Sequence, residues 1–344
     1  MTDYALLILP SANRVYAETS VRLTMSELTV FNRQGLDGRI GDIAEETLGG
    51  VPYVTFRADR LDERDIALLS NLSSLYALYA REGELLRPLI LRPMDRFDSD
   101  LLTIQKYVGK TNEQFTKLLL NATVLATDVG REMTERRLRV IDPLCGRGTT
   151  LNQAMMYGYD AAGLDSDGKD FDIYSTFIRT WLKNKRLKHK AEVAAIRRNK
   201  SQVGRRLHVV LGATKEEYQA GEVIDISVIH ADTRRSLEFF KPGSFDVVVT
   251  DAPYGVQHAS RGQQGQLSRT PTALLAEAVP VWAELIRPGG ALGISWNTMV
   301  GRRPELVGIL ADAGLEVVEG EGYADFRHRV DQAIVRDLIV ARRP

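Results

Sequence analysis

The segment Asp142-Pro-Leu-Cys-Gly-Arg-Gly-Thr-Thr-Leu151 constrains this chain more than any other. The apolar run Leu138 to Ile141 leads into it and a helix-forming run from Thr149 leaves it, so it reads as a strand, a glycine turn and a helix start. Gly146 and Gly148 let the backbone come within van der Waals distance of a ligand, and the helix start adds unsatisfied N–H donors. The Gly-Lys-Ser/Thr ending of a P-loop is missing. About twenty residues on, Asp165 ends the next strand, where a carboxylate can accept hydrogen bonds from both ribose hydroxyls. The pair predicts a nucleoside-containing cofactor over Asp142, Pro143, Cys145, Gly146, Gly148, Thr149 and Asp165. Helix capping by Asp165 is the competing reading.

The alternation continues to the C-terminus. Strands are predicted at Ala161 to Leu164, His208 to Leu211, Ile224 to His230, Phe245 to Thr250, Ala291 to Trp296, Leu315 to Glu319 and Ile334 to Ala341. Helices are predicted over 112–134, from Thr149, from about Lys169 past Asn199, over 272–286 and over 304–313. This order predicts an α/β fold with a Rossmann-like, doubly wound sheet, and the last two strands, with no helix between them, form an antiparallel edge hairpin. Residues 1–100 read as a smaller α/β block in the order β-α-β-α-β: a strand at Tyr4 to Leu9, a helix over 13–31, a strand at Val51 to Phe56, a helix from Asp62 to Glu82 and a strand at Leu86 to Leu91. The polar, turn-forming stretch 92–100 places the domain boundary near residue 100.

The 344 residues suffice for two domains, and a 44% apolar share with 26% charged residues excludes a mostly disordered chain. The lone Cys145 forbids an internal disulfide and any multi-cysteine metal site. The five histidines show no metal-ligand spacing, so no metal is expected. No run reaches the length of a membrane span and the N-terminus lacks a signal-peptide pattern, so a cytoplasmic protein is expected. Charge is balanced overall, yet Lys183 to Arg206 holds ten Lys or Arg against the single acid Glu192. Such density suits phosphate contacts, and a solvated helix face is the competing reading.

Two more strands end in carboxylates. Asp232, followed by Thr233, stands where it could meet an adenine amine or cap the next helix. The buried strand Phe245 to Thr250 runs into Asp251-Ala-Pro-Tyr254. Asp251 can accept one amine N–H, Pro253 fixes the backbone so that a main-chain carbonyl accepts the other, and Tyr254 offers a flat stacking face. An amine held in this way turns its lone pair toward an electrophile. The Gln/Gly/Ser-rich run His258 to Arg269 reads as a lid or as an ordinary surface loop.

Taken together, the glycine segment, Asp165, Asp232 and Asp251-Ala-Pro-Tyr254 resemble the ordered motifs of S-adenosylmethionine-dependent amino-methyltransferases, whose fourth motif reads Asp/Asn-Pro-Pro-Tyr/Phe. Lys106-Tyr-Val-Gly-Lys-Thr-Asn-Glu-Gln-Phe115 is similar to the segment that contacts the cofactor's methionine end, which adds Lys110, Thr111 and Asn112 to the cofactor site. The likeness is greatest to the tRNA guanine-N2 methyltransferase and THUMP-associated RNA methylase group. It covers residues 101–344 and is faint over 1–100.

The resemblance implies a seven-stranded methyltransferase sheet, S-adenosylmethionine as cofactor, and Asp251, Ala252, Pro253 and Tyr254 as the catalytic turn acting on an exocyclic amine of guanine in tRNA or another structured RNA. Ala252 departs from the family's first proline. The distance from Asp165 to Asp232 is also longer than usual, which implies a basic insertion of about 183–206 on one face of the sheet as an RNA contact. A DNA amine, or a protein or peptide nitrogen, is the alternative substrate, and a non-catalytic binding module is a further alternative. Cys145 lies in the cofactor loop and not after the fourth-motif proline, so it is no catalytic thiol. A membrane partner is not expected.

Overall fold

The computed structural model describes residues 1–11, 14–253 and 271–344. The N-terminal block runs β1 (Thr2–Ile8), α1 (Arg14–Gly35), β2 (Gly41–Leu48), β3 (Val51–Ala58), α2 (Glu63–Leu69), β4 (Leu75–Glu82) and β5 (Leu85–Pro88). Its sheet has the order β2-β3-β1-β4-β5 with every pair antiparallel.

Two expectations fail here. The helix predicted over 62–82 is only Glu63–Leu69, followed by strand β4. Asp62 caps α2 in a reciprocal pair with Asp65, and the chain then turns through the buried polar run Asn71 to Ser74. Leucines 68, 69, 72, 75 and 78 recur at helical spacing across a helix, a turn and a strand, so periodicity alone merges them. Strand β2 was not expected, because an exposed edge strand carrying Asp42, Glu45 and Glu46 shows no alternation.

The second sheet begins after α3 (Asp100–Thr103) and α4 (Glu113–Leu125) with β6 (Arg139–Asp142), α5 (Thr149–Met156), β7 (Asp160–Asp165) and α6 (Gly168–Asn184). Next come β8 (His189–Arg198), β9 (Ser201–Leu211), α7 (Lys215–Ala220), β10 (Ile224–His230) and β11 (Phe245–Asp251). The chain closes with α8 (Pro271–Leu285), β12 (Ile286–Asn297), α9 (Arg303–Asp312), β13 (Glu316–Val317), β14 (His328–Arg329) and β15 (Val335–Arg342).

The strand order is β13-β15-β12-β11-β6-β7-β10-β9-β8, with β14 paired to β15. Strands β12, β11, β6, β7 and β10 are parallel, and β15 runs antiparallel between β12 and β13. These seven form the expected methyltransferase-like sheet, wound on both faces. Phe115, Leu151 and Tyr174 from α4, α5 and α6 pack one face in a core that continues into the N-terminal block through Leu28 and Phe31. Leu275, Trp282, Leu306 and Leu310 from α8 and α9 pack the other.

The basic stretch departs from expectation. Helix α6 stops at Asn184, and the chain forms the antiparallel hairpin β8–β9, which extends the sheet in its own plane from β10. It does not lie on a face of the sheet. Most of β8 is exposed on both sides because it is the edge strand, so no period of two marks it in the sequence.

Candidate active site

The parallel strands deliver their C-terminal ends, and the carboxylates on them, to one rim. Val248 pairs with Ile141, Ile141 with Ala162 and Ala162 with Ser227, so Asp251 and Asp165 both stand three residues beyond a common line. Ligands bind at this rim in open α/β sheets.

The glycine loop links β6 to α5. Gly148 (φ +79°) caps α5, and a Cβ there would be driven into the Tyr174 ring. Gly146 (φ +48°) differs, since a Cβ there would meet nothing within 4 Å. The loop is therefore closed by packing at one glycine and open at the other. Cys145 is buried under it, donates its N–H to the Leu164 carbonyl (2.9 Å), and has its thiol pushed upward by burial. A buried, un-ionised thiol fits the reading that Cys145 is not a nucleophile.

Asp165 ties the loop to β7. Its Oδ2 accepts the Gly146 N–H (2.8 Å) and its Oδ1 the Asp167 N–H (2.7 Å). Burial raises its pKa above the ordinary carboxylate value, against the pull of those two donors. Each oxygen retains acceptor capacity for a hydroxyl. Asp142, buried beside Pro143, accepts the Leu144 N–H (3.0 Å) and the Thr250 hydroxyl (2.8 Å), and burial pushes it up to about 7. The Thr250 bond joins the cofactor-loop strand to the strand that ends in Asp251.

Segment 105–112 lies over the loop. Gln105 Nε2 donates to the Arg147 carbonyl (3.4 Å), the Tyr107 hydroxyl sits 3.3 Å from Thr149 Oγ1, and the Arg147 guanidinium stacks 4.4 Å from the Tyr107 ring centre. Lys110 donates to the Leu102 carbonyl (2.6 Å) and pairs with Glu113. Asn112 caps α4 by accepting the Phe115 N–H (3.1 Å). Among the described residues, Thr111 alone of these three bonds to the catalytic turn, its hydroxyl donating to Asp251 Oδ2 (2.6 Å).

Three described residues hold Asp251. Besides Thr111, Ser295 Oγ donates to its Oδ1 (2.7 Å), and the guanidinium of buried Arg336 stands 3.5 Å from Oδ2. Ala252 is buried, with its N–H donating to the Ser295 carbonyl (2.8 Å). Pro253 is exposed. Tyr254 and the run 258–269 lie outside the described residues.

Ser295, Arg336 and Thr250 escaped the sequence reading. The charged pair Arg336-Asp337 ahead of the apolar run Leu338 to Ala341, and a hydroxyl within the apolar run Ala291 to Trp296, were the available signals, and the parallel register Asp251 to Ser295 explains the second.

Asp232 caps the short 3-10 helix Thr233–Glu238 through the Arg234 N–H (2.9 Å), and the Arg234 guanidinium lowers its pKa below the ordinary carboxylate value. Thr233 is buried and accepts the Trp282 indole N–H (2.9 Å). Asp232 also lines a cavity of about 360 Å³ with Ser166, Gln202, Gly204 and His230. A larger apolar groove of about 850 Å³ runs along the outer side of α6, away from Asp142, Asp165 and Asp251.

Residues 120–286 match the family model described as UPF0020, RMKL-like, methyltransferase domain. The chain carries a methyltransferase domain. Its cofactor is S-adenosylmethionine. The residues present fit that group: the loop is open at Gly146, and acceptor capacity remains on Asp165 for a hydroxyl.

No curated protein matches the chain. Among solved structures it is similar to a TehB-like S-adenosylmethionine-dependent methyltransferase from Corynebacterium glutamicum (15% identity, 62% of this chain and 83% of that one, TM-score 0.33). It is also similar to a geranyl diphosphate methyltransferase in complex with S-adenosylmethionine (13%, 68% and 86%, 0.37) and to the PH0226 protein of Pyrococcus horikoshii OT3 (12%, 61% and 84%, 0.36). At these scores the superpositions add nothing to the family match.

Proposed function

We propose that this methyltransferase acts on an exocyclic amine of a nucleobase, guanine in tRNA or another structured RNA. The observation that carries the reading is Asp251, fixed at the end of β11 and tied through Thr250 and Asp142 to the cofactor loop on the adjacent strand. In this reading Asp142, Pro143, Cys145, Gly146, Gly148, Thr149 and Asp165 form the cofactor site, with Thr111 over it and Asp232 and Thr233 at its nucleoside end. Lys110 and Asn112 support the covering segment through their local bonds.

S-adenosylmethionine supplies an electrophilic methyl group on a sulfonium. The chain's own work is alignment and electrostatics. Asp251 accepts one amine N–H and the Ala252 carbonyl the other, which turns the nitrogen lone pair toward the methyl donor. On transfer the carbon–sulfur bond would break to leave a neutral thioether, the nitrogen would become cationic, and Asp251, as the acceptor of its N–H, would stabilise that charge and take the departing proton. Alanine in place of the family's first proline leaves the accepting carbonyl in place, and the Ala252 N–H to Ser295 bond holds the backbone. Tyr254 is the stacking partner for the base, a contact of about 1 to 3 kcal/mol in other base–aromatic pairs. A base within a duplex has to be flipped out first.

The test is incubation with methyl-labelled cofactor and separate pools of tRNA, rRNA, DNA and protein. Label in the tRNA or rRNA pool supports the reading. Label in DNA or protein alone, or in none, contradicts it.

A further inference from the structure

The ten basic residues of 183–206 do not form one patch. The register sets Asp165 opposite His230, His230 opposite Arg205 and Arg205 opposite Ala195, so the hairpin residues beyond Ala195 project past the active-site rim. Lys183, Lys185, Arg186 and Lys188 lie beyond the opposite end of the sheet, about 20 Å away at the rise of a strand. Lys185 is already paired with Asp98 and Asp100 (2.7 Å each).

At the tip, Arg198 is spent on the hairpin's own anchorage to Glu238, and Arg205 pairs with Asp172 (2.7 Å). Arg197 and Lys200 are exposed and make no ion pair among the described residues. Gln202, two residues past Lys200, already lines the cavity that contains Asp232.

The turn itself is informative. Arg198 pairs with Ser201, leaving the two-residue turn Asn199-Lys200, both with positive φ (48° and 67°). Such a turn favours glycine at its second position, and lysine there is strained. A positive charge is kept at the tip at a conformational cost.

We infer that the β8–β9 tip, through Arg197 and Lys200, grips backbone phosphates of the substrate nucleic acid, while the basic cluster at the far end of the hairpin does not. The inference rests on the nucleic-acid reading above. Four strand spacings separate β11 from β9, about 19 Å, so the grip falls a few nucleotides from the base presented to Asp251.

The test is binding of the full chain to an unfractionated tRNA pool across a salt series. Arg197→Gln with Lys200→Gln should weaken binding about tenfold at moderate salt and lower the salt slope by about one to two. Lys183→Gln, Arg186→Gln and Lys188→Gln together should leave the slope unchanged. Lys200→Gly should raise Tm by relieving the turn and still weaken binding. Arg186, also at positive φ (56°), supplies the control: Arg186→Gly should raise Tm with no loss of binding. A slope unmoved by the tip variants, or lowered by the far cluster, overturns the inference. Labelling of the RNA pool by the unmodified chain keeps the two failures apart, since RNA methylation with an unmoved slope sinks only the tip assignment, whereas no labelled nucleic acid sinks the reading beneath it.

Discussion

Asp142 shows how burial turns an ordinary side chain into a sensor of pH. Its carboxyl is pushed up to about 7 by burial, and hydrogen bonds from Thr150, Leu144 and Thr250 only partly offset that. The unfolded chain ionises it near 4, so the folded state binds the extra proton between about pH 4 and 7. Its contribution to stability is therefore full below pH 4 and is lost as pH rises toward 7, at no more than about 1.4 kcal/mol per pH unit. His328, lowered by burial to about 4, works in the opposite sense: its contribution is present above its unfolded value and lost as pH falls. Asp142→Asn isolates the first effect. Relative to the unmodified chain, its unfolding free energy in urea should climb between pH 4.5 and 7.5, and a constant difference across that range would contradict the account. Ser295→Ala removes one donor to Asp251 and should lower kcat by about tenfold, the worth of one hydrogen bond to a charged group, with cofactor affinity unchanged. Equal kcat values would show that Ser295 does not position the carboxylate. Neither Ser295 nor Arg336 was legible in the sequence, because each meets Asp251 only through strand register across the sheet.

Elements were legible where burial was complete. β6, β7 and β11 are apolar runs ending in Asp142, Asp165 and Asp251, and the rim was read from them. Reading failed where burial was partial: β2 and β8 are exposed edges, and α2 and β4 share one leucine spacing. The glycine loop permits a comparison within one turn. Gly148→Ala places a methyl group against Tyr174 at a left-handed position and should cost several kcal/mol, read as a large fall in Tm. Gly146→Ala projects into open space and should cost about 1 kcal/mol, the ordinary penalty of positive φ, while weakening cofactor binding measured by calorimetry. Unchanged cofactor affinity in Gly146→Ala would place the ligand elsewhere.

At the scale of the molecule, the two sheets share more than a linker. Glu27 on α1 is fully buried, accepting from Ser73 N–H (3.0 Å), Ser73 Oγ (2.5 Å) and Asn121 Nδ2 on α4 (2.8 Å), and Ser26 Oγ on α1 donates to the Asp325 carbonyl (3.4 Å). Phe31, Leu118 and Leu120 belong to one continuous core. The boundary near residue 100 was read from composition, which carries no information on what packs across it. Residues 101–344 expressed alone should therefore expose the α4 face and unfold at a clearly lower temperature than the full chain. An equal Tm would show that the N-terminal block is dispensable to the fold.

The central claim is that Asp251 presents a nucleobase amine to the methyl donor. Methyl transfer from labelled cofactor to RNA, measured for Asp251→Ala beside the unmodified chain with cofactor binding followed by calorimetry, tests it most directly. The account predicts that transfer is lost while cofactor affinity stays within a few-fold. Full transfer by the variant would contradict it.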